Sequence, residues 1–163
     1  MAEVIGLIAS IVGVAGAGAT LSIAIFDIAS TIGASGKELQ DLSTEISLLC
    51  SVFKQLETLL SHAHFRYSNA AVETTRKILE RCKEVFSELN DIVKELPPRN
   101  DNSIPSVDFV KWLGFKRSKV KLIKSTLESC KLTLGIMLST MQLAEKASMR
   151  RCTILCPQDR PLR

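Results

Sequence analysis

Aromatic side chains are scarce in this 163-residue chain, at 5% of residues with a single Trp and a single Tyr. Sheet proteins draw their strands from aromatic and β-branched residues in alternation, and no stretch here alternates apolar and polar residues over a strand's length. Sheet structure therefore has no candidate. Histidine is scarcer still. His62 and His64 are the only two, they face different sides of a helix end, and no adjacent carboxylate or cysteine completes a metal set.

Catalytic constellations are missing as well. The run Gly33-Ala34-Ser35-Gly36-Lys37-Glu38 imitates a phosphate loop, but Thr31 stands where the first Gly belongs and Glu38 where Ser or Thr must hold magnesium. The cysteines, at 50, 82, 130, 152 and 156, are odd in number and widely spread, and no Asn-x-Ser/Thr sequon occurs. That usage fits the reducing cytosol better than a disulfide framework. Cys50, Cys82 and Cys130 fall in or beside apolar seams and read as small core residues, whereas Cys152 and Cys156 lack two further ligands for zinc. No nucleophile stands with a base. The sequence predicts no enzyme, no cofactor and no metal.

Charge is absent from the first helix-length segment, Val4 to Phe26. As a helix it is roughly 35 Å long, enough to cross a hydrocarbon core of about 30 Å. Eleven of its positions are Val, Ile, Leu or Phe, together worth about −3 to −7 kcal/mol on insertion scales. Four glycines (Gly6, Gly13, Gly16, Gly18) and three hydroxyl residues (Ser10, Thr20, Ser22) offset part of that. The segment is thus balanced between a bilayer and the inside of a bundle. Ala9, Gly13 and Ala17 have the small-xxx-small spacing that allows close helix approach in either setting. Ala15-Gly16-Ala17 also imitates a signal-peptide cleavage site, but Met1-Ala2-Glu3 is acidic and the apolar pattern continues through Leu21, Ile25 and Ile28.

Three later segments carry the helical period. Leu39, Leu42, Ile46, Leu49, Phe53, Leu56 and Leu60 alternate steps of three and four, a seam for knobs-into-holes packing over about Lys37 to His62. Ser35 and Glu38 make a capping box before it. Leu79, Cys82, Phe86, Leu89, Val93 and Leu96 repeat the pattern, widened by Ile78, Val85 and Ile92, until Pro97-Pro98 stops the helix. After a polar loop, Val120, Ile123, Leu127, Cys130, Leu134, Met137, Met141 and Ala144 mark the last helix. The expected fold is all-α, an up-and-down four-helix bundle over residues 1–149, with an irregular, truncated-looking tail at 150–163.

Residues 1–105 carry a balance of −4 and residues 106–163 one of +8. Between Asp108 and Glu128 stand Lys111, Lys116, Arg117, Lys119, Lys121 and Lys124 with no acidic residue, and Phe109, Trp112 and Phe115 lie just before or among them. Such a stripe fits an anionic membrane surface, nucleic acid, or a solvated helix face whose aromatics plug the bundle end. The opening apolar segment favours lipid over nucleic acid, because stable attachment takes two signals.

The stretches MAEVIGLIASIVGVAGAG, LSIAIFDIAS and, above all, FVKWLGFKRSKVKLIKSTLESCKLTLGIML resemble the HeLo-like N-terminal domains at the front of fungal STAND (NLR-type) receptors. The resemblance covers about residues 1–149. It implies a helical-bundle effector, similar in principle to the four-helix executioner domain of the necroptosis pseudokinase. In that family activation is thought to oligomerise the bundles and send the N-terminal helix to the membrane, causing regulated cell death as in heterokaryon incompatibility. Carried onto this chain, the inserting element is Val4 to Phe26, represented by Val4, Ile8, Ile11, Gly13, Gly16, Gly18, Leu21, Ile25 and Phe26. The lipid-contacting set is Lys116, Arg117, Lys119, Lys121 and Lys124. The expected partners are anionic membrane lipids and other copies or related bundles of NLR-type receptors, with no nucleic acid. The expected location is the cytoplasm with conditional attachment to the plasma membrane. A non-toxic adaptor or oligomerisation module is the alternative.

Overall fold

The computed structural model describes residues 2–32, 36–62, 69–95 and 107–155. They form four helices, α1 (Ala2–Ile32), α2 (Lys37–His62), α3 (Asn69–Lys94) and α4 (Val107–Leu155), with no strand among the described residues. Residue pairs fix their directions. Ser22 meets Ser43 while Gly18 lies against Cys50, so α1 and α2 are antiparallel. Lys83 reaches Ser10 while Phe86 lies against Gly18, so α3 runs with α1. Arg117 pairs with Glu38 and Lys131 with Glu45, so α4 runs with α2. The helices alternate up and down, and around the bundle their order is α1, α2, α4, α3. Helices α1 and α4 are thus diagonal to each other, as are α2 and α3.

The α2 seam is buried from Leu39 to Leu60 without exception. Helix α3 adds Leu79, Cys82, Val85, Phe86, Leu89 and Ile92, and α4 adds Val120, Ile123, Leu127, Cys130, Leu134, Leu138 and Met141. Each large side chain so buried contributes about 1.5–3 kcal/mol relative to exposure. Ala144, expected in the α4 seam, is exposed.

Two helix ends differ from expectation. Helix α1 is longer than Val4–Phe26, and α4 continues through residues 150–155, where an irregular tail was expected. Ala147, Met149, Arg150 and Arg151 are good helix formers, and no Gly or Pro intervenes before Pro157. Backbone hydrogen bonding therefore propagates after the core-facing pattern has ended. Residues 156–163 lie outside the described part. So does Ser35 of the expected capping box, and both carboxylate oxygens of Glu38 are taken by Arg117.

Close approach of α1 to its neighbours depends on Gly18. A Cβ there would lie 2.7 Å from Cys50 Sγ and 2.8 Å from the Phe86 ring. Gly36, at the entry to α2, would place a Cβ 2.3 Å from the Ala29 carbonyl oxygen, so only glycine fits against α1 at that position. Between these points Ser22 Oγ donates to the Ser43 carbonyl and Ser43 Oγ to the Ser22 carbonyl, both at 2.9 Å, while the Ser47 hydroxyl lies 2.7 Å from Ser22 Oγ. By contrast a methyl group added at Gly13 or Gly16 would meet nothing within 4 Å. Gly18→Ala is therefore expected to cost about 1–3 kcal/mol through overpacking. Gly13→Ala should stabilise by about 0.5–1 kcal/mol through helix propensity. Urea unfolding of the two variants checks both signs.

Candidate functional site

Helix α1 has two faces of similar chemistry and opposite fate. Leu7, Ile11, Val14, Leu21, Ile25 and Ala29 point into the core. Ile5 (66% exposed), Val12 (48%), Ile23 (64%) and Phe26 (50%) point outward, with Ala9, Gly13, Gly16, Ala17 and Ala19 between them. The stretch Glu3–Thr31 is long and apolar enough to cross a membrane, and its most apolar 18-residue window has a mean hydropathy of 2.1 with 28% buried. The residues expected to insert are accordingly divided. Ile11, Gly18, Leu21 and Ile25 are core, Val4 and Ile8 are half-buried, and Gly13, Gly16 and Phe26 are exposed. Sequence alone could not separate them, because an apolar pattern that runs all the way round a helix names no inward side.

Beside the outward face, small residues open a groove of about 660 Å³ between α1 and α3. Gly13, Ala17 and Ala24 form one wall, Phe86, Ser87 and Asn90 the other. Lys83 Nζ bridges it by donating to Ser10 Oγ at 3.1 Å.

The basic stripe of α4 is largely neutralised. Arg117 makes a two-pronged pair with Glu38, its Nη2 and Nε at 2.5 and 2.8 Å from Oε1. Lys124 lies 3.6 Å from Asp41, and Lys131 pairs with Glu45. These three tie α4 to α2. Lys116 and Lys119 tie it to α3, at 2.6 Å from Glu95 and 3.7 Å from Glu88. Of the five residues expected to contact lipid, Lys121 alone makes no ion pair among the described residues. The signal that could have revealed this is the acidic set Glu38, Asp41 and Glu45, at steps of three and four on α2.

Phe115 does not plug the bundle end as expected; it is 84% exposed. Since Lys116 and Arg117 meet the end of α3 and the start of α2, the preceding turns of α4 reach past both helices. The side chains of Phe109 and Trp112 lie outside the described part, as does that of His62 and all of His64. A surface missed in the sequence lies further along α4. Leu132, Ile136 and Leu143 are each about two-thirds exposed and line, with Gly135, Ser139 and Val52, an open depression of about 520 Å³ between α4 and α2. The core seam drew attention from it, though the steps of four and seven were legible.

No group of three or more potential metal ligands occurs among the described residues. Burial pushes the Cys50 thiol up. The neighbouring Cys130 sulfur and burial push the Cys82 thiol up, while the Cys82 thiol and nearby Arg81 bring Cys130 down to about 7.

Four alternating helices, the first of them long and apolar, define an all-α bundle domain. The chain matches the family described as pigment biosynthesis cluster protein PigL N-terminal over residues 2–155, and it belongs to that family. Comparison with curated proteins and with solved structures found no match.

The ion pairs give a pH signature. Hydrogen bonding from Arg117 holds the Glu38 carboxyl below its ordinary 4.5, and Lys116 does the same for Glu95. Carboxylates depressed in the folded state stabilise it above their ordinary value and lose that contribution as pH falls through the folded value. Protection of α4 amides from hydrogen exchange should therefore drop as acid is added below about 4.5. In a Glu38→Gln/Glu95→Gln variant the decline should be shallower.

Proposed function

We propose that this domain is a conditional membrane effector, held as a cytoplasmic bundle and able to insert α1 into anionic membranes on oligomerisation, in the manner of HeLo-like cell-death domains. The reading is non-catalytic. The outward apolar face of α1 carries it: Ile5, Val12, Ile23 and Phe26 can touch a bilayer while Leu7, Ile11 and Ile25 still hold the helix to α2 and α3. Full insertion then requires α1 to exchange its protein neighbours for lipid. The ion pairs along α4 add a condition, because Lys116, Arg117, Lys119 and Lys124 meet lipid headgroups only after leaving their carboxylates.

The outward residues allow a test that leaves the core intact. Val12→Asp/Ile23→Asp adds roughly 5–7 kcal/mol to the cost of insertion, comparable to the whole favourable term of about −3 to −7 kcal/mol. The variant should unfold like the parent in urea yet neither sediment with phosphatidylserine-containing vesicles nor release their contents. If the parent itself neither binds nor permeabilises such vesicles, or the variant does so equally, the reading fails.

The exposed row on α4 favours a second reading, an adaptor that pairs with other bundles. Ile136→Asp should then shift a sedimenting dimer or larger species to monomer, while vesicle binding is unchanged.

A further inference from the structure

Helices α3 and α4 are held in register at their two ends. Near one end Thr75 Oγ1 lies 3.5 Å from Met137 Sδ, and at the other Glu95 pairs with Lys116 at 2.6 Å. Cys82 lies about two turns beyond Thr75, and Cys130 about two turns before Met137 on the antiparallel partner. The register thus sets the two thiols opposite each other, near enough for each to perturb the other's ionisation. Their surroundings differ. Cys82 has no exposed surface, whereas Cys130 is 8% exposed and lies near the Arg81 guanidinium, at the margin of the core. A small oxidant therefore reaches Cys130 first, and Cys82 waits behind it.

We propose that Cys82 and Cys130 form a two-electron redox pair, which a hydroperoxide converts into a disulfide joining α3 to α4. In the first step the Cys130 thiolate attacks the peroxide oxygen. The O–O bond breaks, the sulfur is oxidised to a sulfenic acid, and the departing oxygen takes a proton and leaves as water or alcohol. In the second, Cys82 sulfur attacks the Cys130 sulfur, its own proton and the sulfenic hydroxyl leave as water, and the S–S bond forms. The thiolate is the reactive form, and a thiol titrating near 7 supplies it at neutral pH without losing most of its nucleophilicity. Cys50, whose thiol is pushed up by burial and which borders Gly18 on α2, serves as the internal control. The bond would join α3 to α4 at their shared seam, and low-molecular-weight thiols would reverse it. The chemistry stands apart from the membrane reading.

The test is peptide mapping of the purified full chain after a brief, near-stoichiometric treatment with hydrogen peroxide and blocking of remaining thiols. The expected product is a Cys82–Cys130 linked peptide with a loss of about 2 Da, lost again on treatment with a reducing thiol. Cys82→Ser should leave Cys130 as a sulfenic acid trapped by dimedone, and Cys50→Ser should leave the cross-link yield unchanged. The parent protein alone decides the matter if a variant folds poorly. Absence of the linked peptide, with Cys130 either unreacted or carried on to sulfinic acid, overturns the proposal. So does faster oxidation of Cys50 than of Cys130.

Discussion

Helix α1 is apolar around its whole circumference, and a four-helix bundle covers only the side turned inward. Much else in the molecule answers that constraint. Gly18 lets α2 and α3 approach closely on the covered side, and Ser22 and Ser43 each donate to the other's backbone carbonyl with the Ser47 hydroxyl against Ser22. On the uncovered side Ile5, Val12, Ile23 and Phe26 remain exposed, the apolar face that the bundle leaves without a partner helix among the described residues.

Charge performs a different task from apolar packing here. Helix α4, at 49 residues, is nearly twice the length of α2 or α3, at 26 residues each. Its core seam fixes its depth, while the ion pairs to Glu38, Asp41, Glu45, Glu88 and Glu95 surround that seam on both flanks. Most of these groups are half-exposed, so salt and competing anions weaken them readily. The stripe that looks like a lipid-binding patch in one helix is, in the folded bundle, also its fastening.

The helices and most of the core were legible in the sequence because period and patterning are local. All the seam residues from Leu39 to Leu60 could be named from spacing alone, and they are buried. The site was legible only as a set of segments. Whether Ile11 or Val12 faces water depends on where α2 and α3 dock, which an all-round apolar helix does not encode. Likewise Arg117 and Glu38 are 79 positions apart, and their pairing follows from the neighbour order α1, α2, α4, α3 rather than from any motif. Cys82 and Cys130 were each recognisable as core residues, but their partnership needed the register of α3 against α4.

The serine contacts between α1 and α2 have one more consequence. A hydroxyl is an interchangeable partner, since it can turn back onto the carbonyl four residues earlier in its own helix, as Thr20, Thr44 and Ser51 do here. Ser22, Ser43 and Ser47 have that same fallback, so parting the helices strands no donor in a medium without water. A buried carboxylate or ammonium at those positions would have made separation prohibitively expensive. The seam between α1 and α2 therefore behaves as a zip and not as a weld.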